Sequence, residues 1–238
     1  MKNDKPFIIR LIIHVFGASL VGFGVQVIIY SQMGSAPLDA FNYYTARLYL
    51  QAVGKLDDGI ILNLVGITSF IYGTLITIIV FLIKRDKKLF ISWIHLTFVA
   101  FTIFLWGFLF KIFTPLGDNM ALKILFGVLG IILIALGTAL TLQTGLPSGP
   151  YEQLMLLIDS KINHLFVSKL ILELFNLGLA FICMVISVRV ISNEPLEFTQ
   201  IGLFTVFNLL LTSYLIAFFS SMYQKIFNKS KEELMVDE

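Results

Sequence analysis

Two carboxylates stand two residues after a proline in matching surroundings, Asp39 in GSAPLDAF and Glu152 in PSGPYEQL, and a third, Glu173, lies inside an apolar run. A proline suits the first turn of a helix, where a missing N–H costs nothing. A carboxylate two positions later neutralises the unpaired amides and the positive helix end. Helix capping alone therefore accounts for Asp39 and Glu152. If they face a polar cavity instead, they cancel the pull that a helix end exerts on anions, and a cationic, zwitterionic or proton-coupled solute fits better. Glu173 in an apolar segment is a site hypothesis by default, with a snorkelling ion pair to Lys169, one turn earlier, as the modest alternative. Asn63, Asn176, His95 and Asn208 also fall inside apolar runs, where hydrogen bonds between helices explain a polar side chain without any solute. His14, near Arg10, reads as an interfacial residue. No HExxH, GxSxG or P-loop occurs and the three histidines are scattered, so neither an enzyme, a metal nor a cofactor is expected.

The elements that hold these residues are set by composition. Of 238 residues, 58% are hydrophobic and 13% charged, against roughly 25% charged in soluble domains. Six apolar runs, near 7–30, 60–83, 91–113, 121–144, 168–191 and 199–222, reach the length of about 20 residues that a bilayer requires. This predicts an all-α integral membrane protein with no room for a second, soluble domain. The first run is too long for the core of a signal peptide. The lone Cys183 forbids an intramolecular disulfide.

Shifting the chain by 113 residues sets Gly17 on Gly130, Gly24 on Gly137, Ser31 on Thr144, Pro37 on Pro150, Asp39 on Glu152, Asn63 on Asn176, and His95 on Asn208. One register across three spans predicts two repeats, 1–113 and 114–238, within a single membrane domain. Because three is odd, the second repeat enters the bilayer the other way up, an inverted construction recurrent in secondary transporters. Each half carries a helix break, Gly34 and Pro37 in the first and Pro147 and Pro150 in the second. A short amphipathic helix follows each break, over PLDAFNYYTARLYL and PYEQLMLLIDSKI. The Gly17/Gly24 and Gly130/Gly137 spacing predicts close packing of the first and fourth spans.

With the N-terminus inside, twelve Lys and Arg fall in inner segments and five in outer ones. The positive-inside rule then puts both termini in the cytoplasm. The net charge of +2 gives no reason to expect nucleic acid.

The stretch GFGVQVIIYSQMGSAPLDAF resembles the first hallmark of the YczE/YyaS group of bacterial membrane proteins, related to the YitT-like proteins, through Gly34, Pro37 and Asp39. Leu38 stands where that group often has an aromatic. In the second half Pro150 is kept, while Pro147 replaces a glycine and Glu152 an aspartate. Glu173 in LELFNLG, and Gly202 with Thr205 in IGLFTVF, match further family positions. The resemblance implies a multi-pass protein of the plasma (inner) membrane with a poorly defined activity. The reading favoured is a secondary transporter or exporter of a small cationic or zwitterionic solute. The alternative is a scaffold or regulator that stabilises a partner complex. Expected partners are the lipid bilayer and a small-molecule solute, and a homodimer is compatible with the sequence.

Overall fold

The computed structural model describes residues 6–236 except 87–88, 114–115, 118, 147–148, 192–195 and 197. Among them the chain is helical, in the order α1 (Phe7–Ser31), α2 (Pro37–Ala52), α3 (Asp58–Lys84), α4 (Leu89–Phe110), α5 (Met120–Gln143), α6 (Pro150–Ile162), α7 (Leu165–Met184) and α8 (Leu203–Val236). The last turns of α7 continue as a π-helix over Val185–Ile191. Six stretches are long and apolar enough to span a membrane: Phe7–Ser31, Asp58–Lys84, Ser92–Phe110, Met120–Gln143, Val167–Ile191 and Leu203–Tyr223. They follow the expected runs to within a few residues. Helices suit this setting because each satisfies its own backbone polar groups away from water.

The helix limits follow local chemistry. The Asp57 carboxylate accepts from the Ile60 amide at 3.0 Å to start α3, and the Asn119 side chain accepts from Leu122 at 3.2 Å to start α5. Pro37 and Pro150 open α2 and α6 at the position where an N–H is not needed. Gln32, Arg85 and Asn163 turn the chain out of α1, α3 and α6 in the left-handed conformation. Gly34, at φ +108°, lies in the break between α1 and α2.

The centre of the bundle is the antiparallel crossing of α1 and α5. A side chain added at Gly17 would begin 2.8 Å from the Gly137 carbonyl oxygen, and one at Gly24 3.0 Å from that of Gly130. Helix α4 packs on α1 and α8 on α5. The short helices pack against the spans: α2 chiefly on α7, and α6 on both α7 and α3. Helices α3 and α4 pack along their length, whereas the backbones of α7 and α8 scarcely meet among the described residues.

Gln26, fully buried on α1, donates from one nitrogen to the Leu62 carbonyl of α3 at 2.8 Å and the Ile103 carbonyl of α4 at 3.0 Å. It ties three spans together at one point. Residues 33–35 run beside the start of α8: the Gly34 and Ser35 amides donate to the Thr199 and Gln200 carbonyls, both at 3.0 Å, and the Phe204 amide donates to Met33 at 3.1 Å.

Candidate functional site

A cavity of about 660 Å³ lies between the spans, inside the range of 300–1,000 Å³ usual for small-molecule sites. Both proline-started helices point their first turns into it: Pro37, Leu38 and Asp39 from α2, and Pro150, Tyr151 and Glu152 from α6. Glu173 and Lys169 reach it from α7, Tyr72 from α3, His95 from α4, and Asn208, Thr212 and Ser213 from α8. Most of the remaining wall is aliphatic, including Val25, Ile76, Ile103 and Ile134. Three carboxylates thus meet in one largely apolar space. Lys169 is the only lysine or arginine that joins them among the described residues.

The electrostatics follow from burial. Asp39 is 7% exposed, and its carboxyl is pushed up to about 7, first by burial and then by the nearby Glu173 charge. Burial also raises Glu152, while its own backbone amide and the charge of Lys169 act the other way. The Glu152 carboxylate folds back over Gly149: a side chain added there would begin 2.8 Å from Oε2. The helix-cap role and the cavity-facing role of this residue therefore coexist. The Tyr151 hydroxyl sits beside Glu173 and Asn176 without closing a hydrogen bond to either, and burial raises it strongly. One Glu173 oxygen, Oε2, is buried with no hydrogen-bond partner.

Lys169 does not snorkel outward; its ammonium donates to the Ser213 hydroxyl of α8, within electrostatic range of Glu173 and Glu152. Asn208 is held within its own helix, accepting from Thr212 at 3.0 Å and donating to the Phe204 carbonyl at 3.2 Å. Asn176 lies behind the wall, where its Oδ1 accepts from the Tyr72 hydroxyl at 2.8 Å. Asn63 is off the cavity, its oxygen buried without a partner. Of the helix-break residues, Pro37 and Pro150 line the cavity, Gly34 packs against Gly202, and Pro147 lies outside the described residues.

Sequence reasoning missed Tyr72, Tyr151 and the burial of His14. Tyr151 had a visible signal, since the 113-residue shift sets it on Leu38, the position at which the resemblance anticipates an aromatic. His14 is buried between α1, α4 and α5, 3.0 Å from the Thr144 hydroxyl and 2.6 Å from His95.

The chain is 29% identical over 161 residues to "Uncharacterized protein YyaS" of Bacillus subtilis (strain 168), a match covering 67% of this chain and 74% of that protein. No solved structure matches it. A family model described as "Family of unknown function (DUF6198)" matches residues 8–221, nearly the whole membrane bundle. This multi-pass membrane protein belongs to that family.

Proposed function

We propose that the protein is a secondary transporter for a small cationic or zwitterionic solute. In this reading two three-span units are inverted in the plasma membrane and both termini are cytoplasmic. The observation that carries it is the convergence of Asp39, Glu152 and Glu173 on one cavity that both short helices enter. A bare anion would meet three carboxyl groups and one ammonium there. A cation finds carboxylates and the aromatic rings of Tyr72 and Tyr151, a ring type whose face attracts positive charge. A zwitterion can add a contact to Lys169.

The contacts of α1 with α5 support the inverted arrangement. The pair Gly17–Gly137 becomes Gly130–Gly24 when each partner is moved by 113 residues, and both pairs are in contact. The helix ends also match. Ser31 donates to Ile28 at 2.6 Å and accepts from the Met33 amide at 3.3 Å; Thr144 donates to Thr141 at 2.6 Å and accepts from the Leu146 amide at 3.2 Å.

A cationic and zwitterionic solute screen by thermal shift identifies the ligand, because selective binding to the folded state raises its stability. Flux in proteoliposomes then falls at least tenfold in Asp39→Asn and Glu173→Gln, while both variants still unfold in a single cooperative transition. Normal flux in both would overturn the reading. Single cysteines at Gly54 and Asn163, just after the two short helices, react from opposite faces of the bilayer; labelling from one face rejects the inversion.

A further inference from the structure

The heavy-atom contacts around His14 favour one placement of its protons. The Thr144 hydroxyl has one proton and gives it to the Thr141 carbonyl at 2.6 Å, so it offers His14 only a lone pair. His14 Nδ1, 3.0 Å from that oxygen, is the donor. The same ring faces the Thr141 carbonyl, which can only accept. In a neutral imidazole the second nitrogen is then an acceptor. His95 Nδ1, 2.6 Å from His14 Nε2, supplies the proton of that bond, which leaves His95 Nε2 with a bare lone pair. His95 lines the cavity. His95 Nε2 and Glu152 Oε2 lie 3.7 and 2.8 Å from the point where a side chain on Gly149 would begin. A base and a carboxylate thus share one corner, and glycine keeps that corner open.

We propose that His95 Nε2, with Glu152 beside it and His14 behind it, is a proton-binding site that opens onto the cavity. The proton comes from cavity water or from the ammonium of a bound cation. An N–H bond forms at Nε2, the donor loses its own, and the charge is shared with His14 through the bond between the rings. The pair takes one proton and no more. A second would turn His14 Nε2 into a donor facing His95 Nδ1–H at 2.6 Å, removing the bond and setting two imidazolium ions in contact. A metal is poorly served here, because both His14 nitrogens are already engaged. Arg10 on α1 flanks the pair, donating to the Thr144 carbonyl at 2.7 Å, and the charged and titratable groups that share the cavity with His95 are Asp39 on α2, Tyr72 on α3, Tyr151 and Glu152 on α6, and Lys169 and Glu173 on α7. The cavity residues of α5 and α8 bring no titratable side chain.

The site belongs to the resting protein and needs no solute, so it stands or falls apart from the transport reading. The test is nitrogen NMR of ¹⁵N-histidine protein in lipid nanodiscs on a His164→Asn background, which leaves the two rings of interest. At alkaline pH His95 carries its proton on Nδ1, and acidification adds one proton to the pair. Glu152→Gln weakens that uptake about tenfold, as loss of a neighbouring opposite charge should. His14→Leu releases His95 into a mixture of tautomers. His14→Asn, whose amide oxygen can accept from His95, keeps the Nδ1–H form and serves if the leucine variant does not fold. A resting proton on His95 Nε2, uptake of two protons, or uptake unchanged by Glu152→Gln would each overturn the proposal.

Discussion

Gly17 and Gly137 cross so closely that each blocks the other's side chain: one added at Gly17 would begin 2.8 Å from the Gly137 carbonyl oxygen, and one at Gly137 would begin 2.6 Å from that of Gly17. The obstacle is backbone on both sides, and backbone cannot swing away. Gly137→Ala therefore pushes α1 and α5 apart and costs about 1–3 kcal/mol, the usual penalty for overpacking. Gly178→Ala, on a helix position with nothing within 4 Å, is the control and is neutral or stabilising by up to about 1 kcal/mol. Thermal unfolding of both variants in detergent makes the comparison.

Tyr72 and Asn176 join α3 to α7 by one hydrogen bond of 2.8 Å, and the Asn176 nitrogen is buried without a partner. Tyr72→Phe strips the amide of its remaining bond and destabilises by about 1–2 kcal/mol. The double variant Tyr72→Phe/Asn176→Leu loses less than Tyr72→Phe alone, because removing both partners leaves nothing unsatisfied. Equilibrium denaturation of the two variants and the parent measures the difference.

Asp39 gives the protein a pH dependence of definite sign. Its carboxyl is near 7 when folded, from burial and the Glu173 charge, against about 3.9 when unfolded. Between these values the folded state holds more protons than the unfolded state. Stability is therefore greatest on the acid side, falls as pH rises from about 4, and levels off above about 7. The total change is on the order of a few kcal/mol. Asp39→Asn flattens this part of the profile, read from unfolding transitions at a series of pH values.

Gly149→Ala moves the Glu152 carboxylate, because the new methyl would begin 2.8 Å from Oε2. Carboxylate and methyl cannot both stay, and the side chain is the softer partner. Binding of whichever cation the thermal-shift screen identifies weakens about tenfold, while the melting temperature without ligand changes by only a few degrees. A calorimetric titration beside an unliganded melt separates the two effects.

The spans were legible because lipid imposes a length and a composition, and the short helices because Pro37 and Pro150 mark their first turns. Asp39 and Glu152 could be singled out because each stands two residues after a proline in matching segments, and Glu173 because a carboxylate in an apolar run is costly and so conspicuous. Their meeting in one cavity was not legible, since it depends on how α2 and α6 pack on α7 and α3. The partners of His14 were hidden for a related reason. At seven residues into α1 it reads as an interfacial group, and its neighbours Thr144 and His95 come from distant parts of the chain. Tyr72 and Gln26 look like ordinary helix residues until a partner helix supplies the groups they bond.

The ladder between residues 33–35 and the start of α8 has a mechanical consequence. Gly34 and Ser35 donate to Thr199 and Gln200, and four residues beyond Ser35 the chain reaches Asp39. Any displacement at the start of α8 would therefore be passed along main chain toward that carboxylate. Amide exchange at Gly34 and Ser35 should accordingly rise and fall in step with that at Phe204, as in a rigid coupling.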